Sequence, residues 1–351
     1  MSERAGDPVD SPIGDEAERT AKRHKKRIGF VIGLLLLAGA AAYLLADPST
    51  LSEFAHQIRS APLWAKIVVL IGPLANWLFV GLCLHTLLRR HGLIGRREML
   101  ALVGSAWLLN HLPMRPGLVG RIGYHAKVNH IRVRDSIEAS VWSMIHAGIA
   151  NGVAVGLMLI VPRDLALSTH ILILLVPLVI FLAVALLASM HSANLGRLAM
   201  GLVYRNADLL IWMLRYGAAF VMLGIEIRPI QIALITAVSQ VAQIIPFTGG
   251  GFGFREWGVG IAGKMTSTSA SLTMRTAIMA DVINRIAETI IVIPLGLFCT
   301  ALVARWFAAR DDEPENTESP IESNLAEDQS ARHPEHEDQS GEPRQEHPSQ
   351  D

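Results

Sequence analysis

Apolar residues in this chain fall in long, nearly unbroken blocks rather than in alternating or half-polar patterns. The first block, IGFVIGLLLLAGAAAYLLA, covers 28–46, and others cover roughly 64–88, 99–112, 136–161, 168–189, 208–225, 230–247 and 276–303. A helix rises about 1.5 Å per residue, so about 20 apolar residues cross a hydrocarbon layer ~30 Å thick. Five of the last seven blocks are long enough to do so. Two are not straightforward: MLALVGSAWLLNHL has only fourteen residues, and IQIALITAVSQVAQIIPF carries Gln231, Gln240 and Gln243 and ends on proline. Both run into a Pro/Gly-rich break.

Charge decides how these two are read, because basic residues collect on the cytoplasmic side of a membrane. If both segments span, the basic residues from Lys22 to Arg310 outside the spans and the second break divide 13 inside to 11 outside. If both dip in and return, Arg115, Arg121, Lys127, Arg132 and Arg134 move to the cytoplasm and the division becomes 18 to 6. The expected fold is therefore an all-α integral membrane protein with about six spanning helices and two re-entrant broken helices. The first dip enters from the cytoplasm and the second from outside, so about 64–161 and 197–303 repeat span–dip–span in inverted topology. A residue pattern agrees with this. Asn110, Pro113, Gly117 and Gly120 in NHLPMRPGLVGR are matched 133 positions later by Gln243, Pro246, Gly250 and Gly253. Inverted repeats with broken helices meeting at the midplane are a recurring transporter design. Irregular backbone at that depth survives only around a protein-lined or watery cavity.

Composition refines the picture at the ends. With 51% apolar and 18% charged residues, the chain is not an ordinary soluble domain. Its zero net charge hides a division: from Asp311 onward fourteen Asp or Glu face two Arg, a balance of −12, which leaves +12 on the first 310 residues. A basic membrane body attracts anionic headgroups. The expected organisation is a disordered cytoplasmic N-terminus with a basic patch over 1–27, a polytopic membrane domain over 28–305, and an acidic disordered cytoplasmic tail over 306–351. The tail is a candidate contact for a protein partner. Lys22 to Arg27 directly before an apolar run is also the layout of a signal peptide, but the run is long for one and many more follow, which favours a retained anchor. Cys83 and Cys299 lie in apolar runs and read as buried thiols.

The candidate chemistry sits in the breaks. In IIPFTGGGFGFRE, Pro246 ends a helix and Gly250, Gly251 and Gly253 allow backbone forms closed to other residues. Successive N–H groups there could form an anion-binding nest, reinforced by a helix starting near Phe254. The loop lacks the Gly-Lys-Ser/Thr of a nucleotide-binding loop. Arg255 either contacts a lipid phosphate or pairs with Glu256 or Asp281. In the first break, Arg115 and Arg121 flank Gly117 and Gly120 and are candidates to clamp an anionic headgroup. Asp281, Arg285 and Glu288, spaced four and three apart, form an intramembrane charge cluster on one helix face, read as a pathway lining or as a structural ladder. The histidines lack metal-ligand spacing, so no metal or cofactor is expected.

LPMRPGLVGR and IIPFTGGGFGFRE resemble the paired signatures of the lysylphosphatidylglycerol synthase transmembrane-region family, over about residues 28–305. The likeness implies that Pro113, Arg115, Gly117 and Arg121 belong to the first signature, and Pro246, Gly250, Gly251, Gly253 and Glu256 to the second. Arg285, in VINRIAE, falls where the family often has Arg. Leu118 stands where the first signature has Glu, and Gly249 where the second has Pro. The resemblance implies the flippase-like membrane part alone, without the aminoacyl-transferase domain of larger members.

The function expected from these readings is binding and translocation of an anionic lipid or polyprenyl-phosphate-type amphiphile in the cytoplasmic (inner) cell membrane, with both termini cytoplasmic. Membrane lipids are the expected partners, nucleic acid is not one, and the chain could form oligomers. Two other classes stay open: a membrane enzyme on a lipid-linked substrate, for which no nucleophile or metal constellation is visible, and an accessory protein of glycolipid synthesis that works through its tail.

Overall fold

The computed structural model describes residues 31–46, 48–112, 115–162, 164–244, 249–267 and 272–311. Pro113 and Pro246, the N-terminal basic patch and the acidic tail beyond 311 lie outside these residues. The described residues up to Trp306 form one compact unit; of the second, Phe307–Asp351, only 307–311 are described.

Every regular element is a helix among the described residues. In order they are α1 (Val31–Leu45), α2 (Pro48–Ser60), α3 (Leu63–Leu88), α4 (Arg96–Leu109), α5 (Pro116–Val128), α6 (Val133–Ile160), α7 (Leu167–His191), α8 (Ala193–Met222), α9 (Pro229–Ile244), α10 (Phe254–Thr266) and α11 (Met274–Asp311). Four of them, α3, α6, α7 and α11, are long and apolar enough to cross a membrane. Only 11% of the apolar window of α7 is buried, against 33% for α3, so α7 turns most of its leucines and valines outward. This is a stable arrangement in lipid and not in water.

Both suspect segments are broken helices. The α4 helix stops at Asn110, whose side-chain oxygen accepts a bond from the Leu118 N–H at 3.2 Å, satisfying a donor in the first turn of α5. Pro116 opens α5, where its missing N–H costs nothing. In the second break α9 ends at Ile244 and α10 begins at Phe254, with Gly250, Gly251 and Gly253 at φ of 59°, 79° and 79°.

The order long–short–short–long thus occurs twice, as α3–α6 and as α8–α11 after the intervening α7. The long helices α3 and α8 pack along each other, and α6 crosses α9. In addition, α4 crosses α11 at close range: a Cβ on Gly104 would lie 3.1 Å from the Cys299 Cβ, and the Thr300 hydroxyl donates to Ser105 Oγ at 3.0 Å. The largest apolar core joins α1, α2, α3, α8, α9, α10 and α11 around Tyr216, Phe220, Ile235, Val259 and Ile278.

Candidate functional site

A cavity of about 250 Å³ opens between the two breaks. Asn110, His111 and Arg115 line it from the first, and Gln240, Gln243, Ile244 and Gly250 from the second. These residues are far apart in sequence, yet their helix ends share one space. The breaks also touch directly, His111 and Phe252 meeting edge to face at 6.3 Å between ring centres. Helix α8 adds Arg205, Asp208 and Trp212 to the wall and α11 adds Arg285 and Glu288, while Val80, Trp107 and Met144 complete it from α3, α4 and α6.

Within and behind this wall lies a network of four arginines and four carboxylates. Arg255 is 1% exposed; its Nε donates to Asp281 Oδ1 at 2.7 Å and its Nη1 to Glu288 Oε2 at 3.2 Å. Arg215, equally buried, lies 3.8 Å from Glu288 and donates to Asn76 and to the Asn284 carbonyl. Arg285 pairs with Glu256 at 2.7 Å and donates to the Gly250 carbonyl at 3.2 Å, tying α11 to the second break. Arg205 pairs with Asp208 at 2.8 Å, and Asp208 also accepts from Asn76 at 2.7 Å. The Tyr216 hydroxyl closes the group on Asp281 at 2.5 Å. Trp212 underlies it, with the Arg215 and Arg255 guanidinium carbons 4.3 and 5.0 Å from its ring centre. Buried charges persist when each has a partner at this range.

The residues singled out in the sequence therefore divide into three groups. Arg115, Gly250, Arg285 and Glu288 line the cavity. Arg255, Glu256 and Asp281 lie behind it in the ion-pair network; the two acids are 0% exposed. Arg121 is elsewhere. It donates to Ser140 Oγ of α6 at 2.8 Å and lines a water-sized void of about 10 Å³ with His125 and Ser136. The glycines do different work. Gly117 lets α5 run against α4, since a Cβ there would overlap the Ala106 backbone. A Cβ on Gly251 would lie 2.9 Å from the Ala242 carbonyl oxygen, and one on Gly253 would strike the Gly33 carbonyl of α1.

The anion nest at the start of α10 is answered from within the chain. The Gly253 N–H donates to the Glu256 carboxylate at 2.8 Å, so a headgroup at this helix end would compete with a built-in acid. The cations that do face the cavity are Arg115, Arg205 and Arg285. Arg205 was not singled out, although a signal existed. Arg205, Asp208, Trp212 and Arg215 fall three, four and three apart on one face of α8, the same spacing rule that groups Asp281, Arg285 and Glu288.

One set of potential metal ligands occurs among the described residues, His91 with Asp135 and Glu138. It lies between the end of α3 and the start of α6, away from the cavity. The Arg90 guanidinium, 3.7 Å from Glu138, already supplies a cation there.

No family model matches the chain, and no curated protein or solved structure matches it either.

Proposed function

We propose that this protein binds the headgroup of an anionic amphiphile, a phospholipid or polyprenyl phosphate, in the cavity between the two breaks and carries it across the membrane. One observation bears most of the weight: two helix breaks 133 positions apart in register end on one cavity whose wall carries Arg115, Arg205 and Arg285. Guanidinium groups bind phosphate oxygens in a forked geometry that lysine cannot copy. Polar space of this kind within an apolar helix bundle marks a pathway or binding site.

The topology that goes with this function has six crossings, α1, α3, α6, α7, α8 and α11, with α4–α5 and α9–α10 as the two re-entrant pairs. Helix α8 belongs to the set in spite of its charges, because 30 residues reach about 45 Å and the charged face is turned inward. The pattern of contacts supports an inverted repeat. Exchanging the two halves turns the α6–α9 crossing into the α11–α4 crossing and leaves α3–α8 unchanged. Each member of the exchanged pair carries a side-chain bond, Asn151 to Gln240 at 3.1 Å and Thr300 to Ser105 at 3.0 Å. In this reading both termini are cytoplasmic and the cavity is the fixed point about which access alternates. The likeness to the flippase-like family rests on the two break signatures and agrees with this reading.

A vesicle assay tests the proposal. The full-length protein is reconstituted with a short-chain fluorescent phosphatidylinositol, with a phosphatidylcholine analogue as the control, and the outer leaflet is quenched chemically. Wild-type protein should speed loss of the protected fraction for the anionic probe alone. Arg115→Ala should slow this at least tenfold. Equal rates for the two probes, or an Arg115→Ala variant at the wild-type rate, would refute the assignment.

A further inference from the structure

Resting on that reading of the cavity, we propose that its preferred occupant is a phosphodiester monoanion whose headgroup is rich in hydroxyls, a sugar or other polyol, rather than a bare phosphate or an ammonium-bearing headgroup. Charge excludes the ammonium. Arg205, Arg215, Arg255 and Arg285 face Asp208, Glu256, Asp281 and Glu288, so the four carboxylates are balanced by four guanidiniums. A cationic headgroup would find no unbalanced acid among these groups.

Hydrogen-bonding capacity argues against a bare phosphate. Such a group as the dianion offers acceptors alone, and as the monoanion a single hydroxyl, yet the cavity presents several acceptors of its own. The Trp107 carbonyl accepts from His111 Nδ1 at 2.9 Å, so in the neutral form of the ring Nδ1 carries the proton and Nε2 is an acceptor. Gln243 spends only its amide nitrogen, on Ser239 at 3.4 Å, and its oxygen remains. Glu288 uses Oε2 toward both arginines and keeps Oε1. These acceptors call for hydroxyl donors. Complementary donors are also present. Gln240 Nε2 is buried without a partner while its oxygen accepts from Asn151, and the Asn110 oxygen serves Leu118, which leaves the Asn110 amide N–H groups.

A polyol hydroxyl donates and accepts at once and so meets both kinds of group, and the phosphodiester meets the guanidiniums. An unmet buried donor or acceptor is costly, which is why such sites reject a ligand that lacks the matching hydroxyl. Trp107 and Met144 supply the apolar part of the wall, against which the C–H face of a ring can lie. The volume of about 250 Å³ leaves room for one phosphate and one small polyol unit.

The test is lipid competition on the detergent-purified full-length protein, read by native mass spectrometry. Phosphatidylinositol, phosphatidic acid and phosphatidylethanolamine with identical acyl chains are supplied in equal amounts. Phosphatidylinositol should be retained at least about fivefold over each of the others, the worth of one good hydrogen bond. Gln243→Leu should remove the preference for phosphatidylinositol over phosphatidic acid, and Gln240→Leu should weaken it. If one variant fails to fold, the other reads the same contact network; if both fail, the wild-type preference decides alone. Equal retention of phosphatidylinositol and phosphatidic acid would overturn the polyol preference while leaving the anionic-headgroup function standing. Preference for phosphatidylethanolamine would overturn the charge argument. Retention of none of the three would overturn both readings.

Discussion

The two breaks share a sequence pattern but not a structural burden. Among the described residues the first is the more lightly held: the Asn110 oxygen takes the Leu118 N–H, α5 leans on α4 through Gly117 and is tied to α6 by Arg121 on Ser140 and to α4 by Asn129 on Glu98, and a Cβ on Gly120 would have nothing within 4 Å. The second is clamped. Arg285 holds the Gly250 carbonyl, Glu256 holds the Gly253 N–H, and α1 lies across the outside so that Gly253 abuts Gly33 and Leu36 and Trp257 donates to the Leu36 carbonyl at 2.9 Å. Related patterns thus serve as a loose half and a fixed half around one cavity. In a carrier that division has a use, because one wall must move while the other preserves the binding geometry.

The largest expected effect separates the arginines of the two halves. Arg255→Leu removes the partner of a fully buried Asp281 and should cost about 3–5 kcal/mol. Arg121→Leu removes a single bond to Ser140 and should cost less than about 1 kcal/mol. Thermal unfolding in detergent compares them. The double variant Arg255→Leu with Asp281→Leu should recover much of the loss, because the charge left behind, more than the missing bond, is what destabilises. Equal losses for the two single variants would mean that the halves are held alike.

How far this contrast can be read from the chain depends on which interaction is asked about. The breaks themselves and the start of α10 at Phe254 follow from local chemistry, since proline and glycine act on their own backbone. The ion pairs follow only in part. Helical spacing puts Asp281, Arg285 and Glu288 on one face, but spacing cannot say that Arg255 takes Asp281 and Glu288 while Glu256 takes Arg285. That choice is made by how α10 docks against α11. Arg205 and Asp208 were within reach of the same spacing rule, applied to α8. The sequence pairing of Gly120 with Gly253 gives no warning that α1 would cover one and not the other, because covering is a tertiary fact.

Glycine substitution sharpens this last point with a smaller effect. Gly253→Ala places a side chain at φ 79° and into the α1 backbone at Gly33. The left-handed backbone costs about 1–2 kcal/mol and the overlap about 1–3 kcal/mol. The expected loss is therefore about 2–5 kcal/mol, read as a lowered midpoint in the same unfolding assay. A neutral result would mean that α1 does not hold the second break in the membrane-embedded protein.

The smallest effect has the opposite sign and is the most discriminating. Gly120 lies inside α5 at an exposed position, with helical backbone and open space where a Cβ would go. Alanine there forfeits nothing and restricts the unfolded chain, so Gly120→Ala should stabilise by about 0.5–1 kcal/mol. Its match in the other half should destabilise by several times that amount. If instead Gly120→Ala leaves stability unchanged or raises it while slowing transport in the vesicle assay, the open space beside α5 is needed for movement. The glycine would then be kept for the looseness of the first break rather than for its shape.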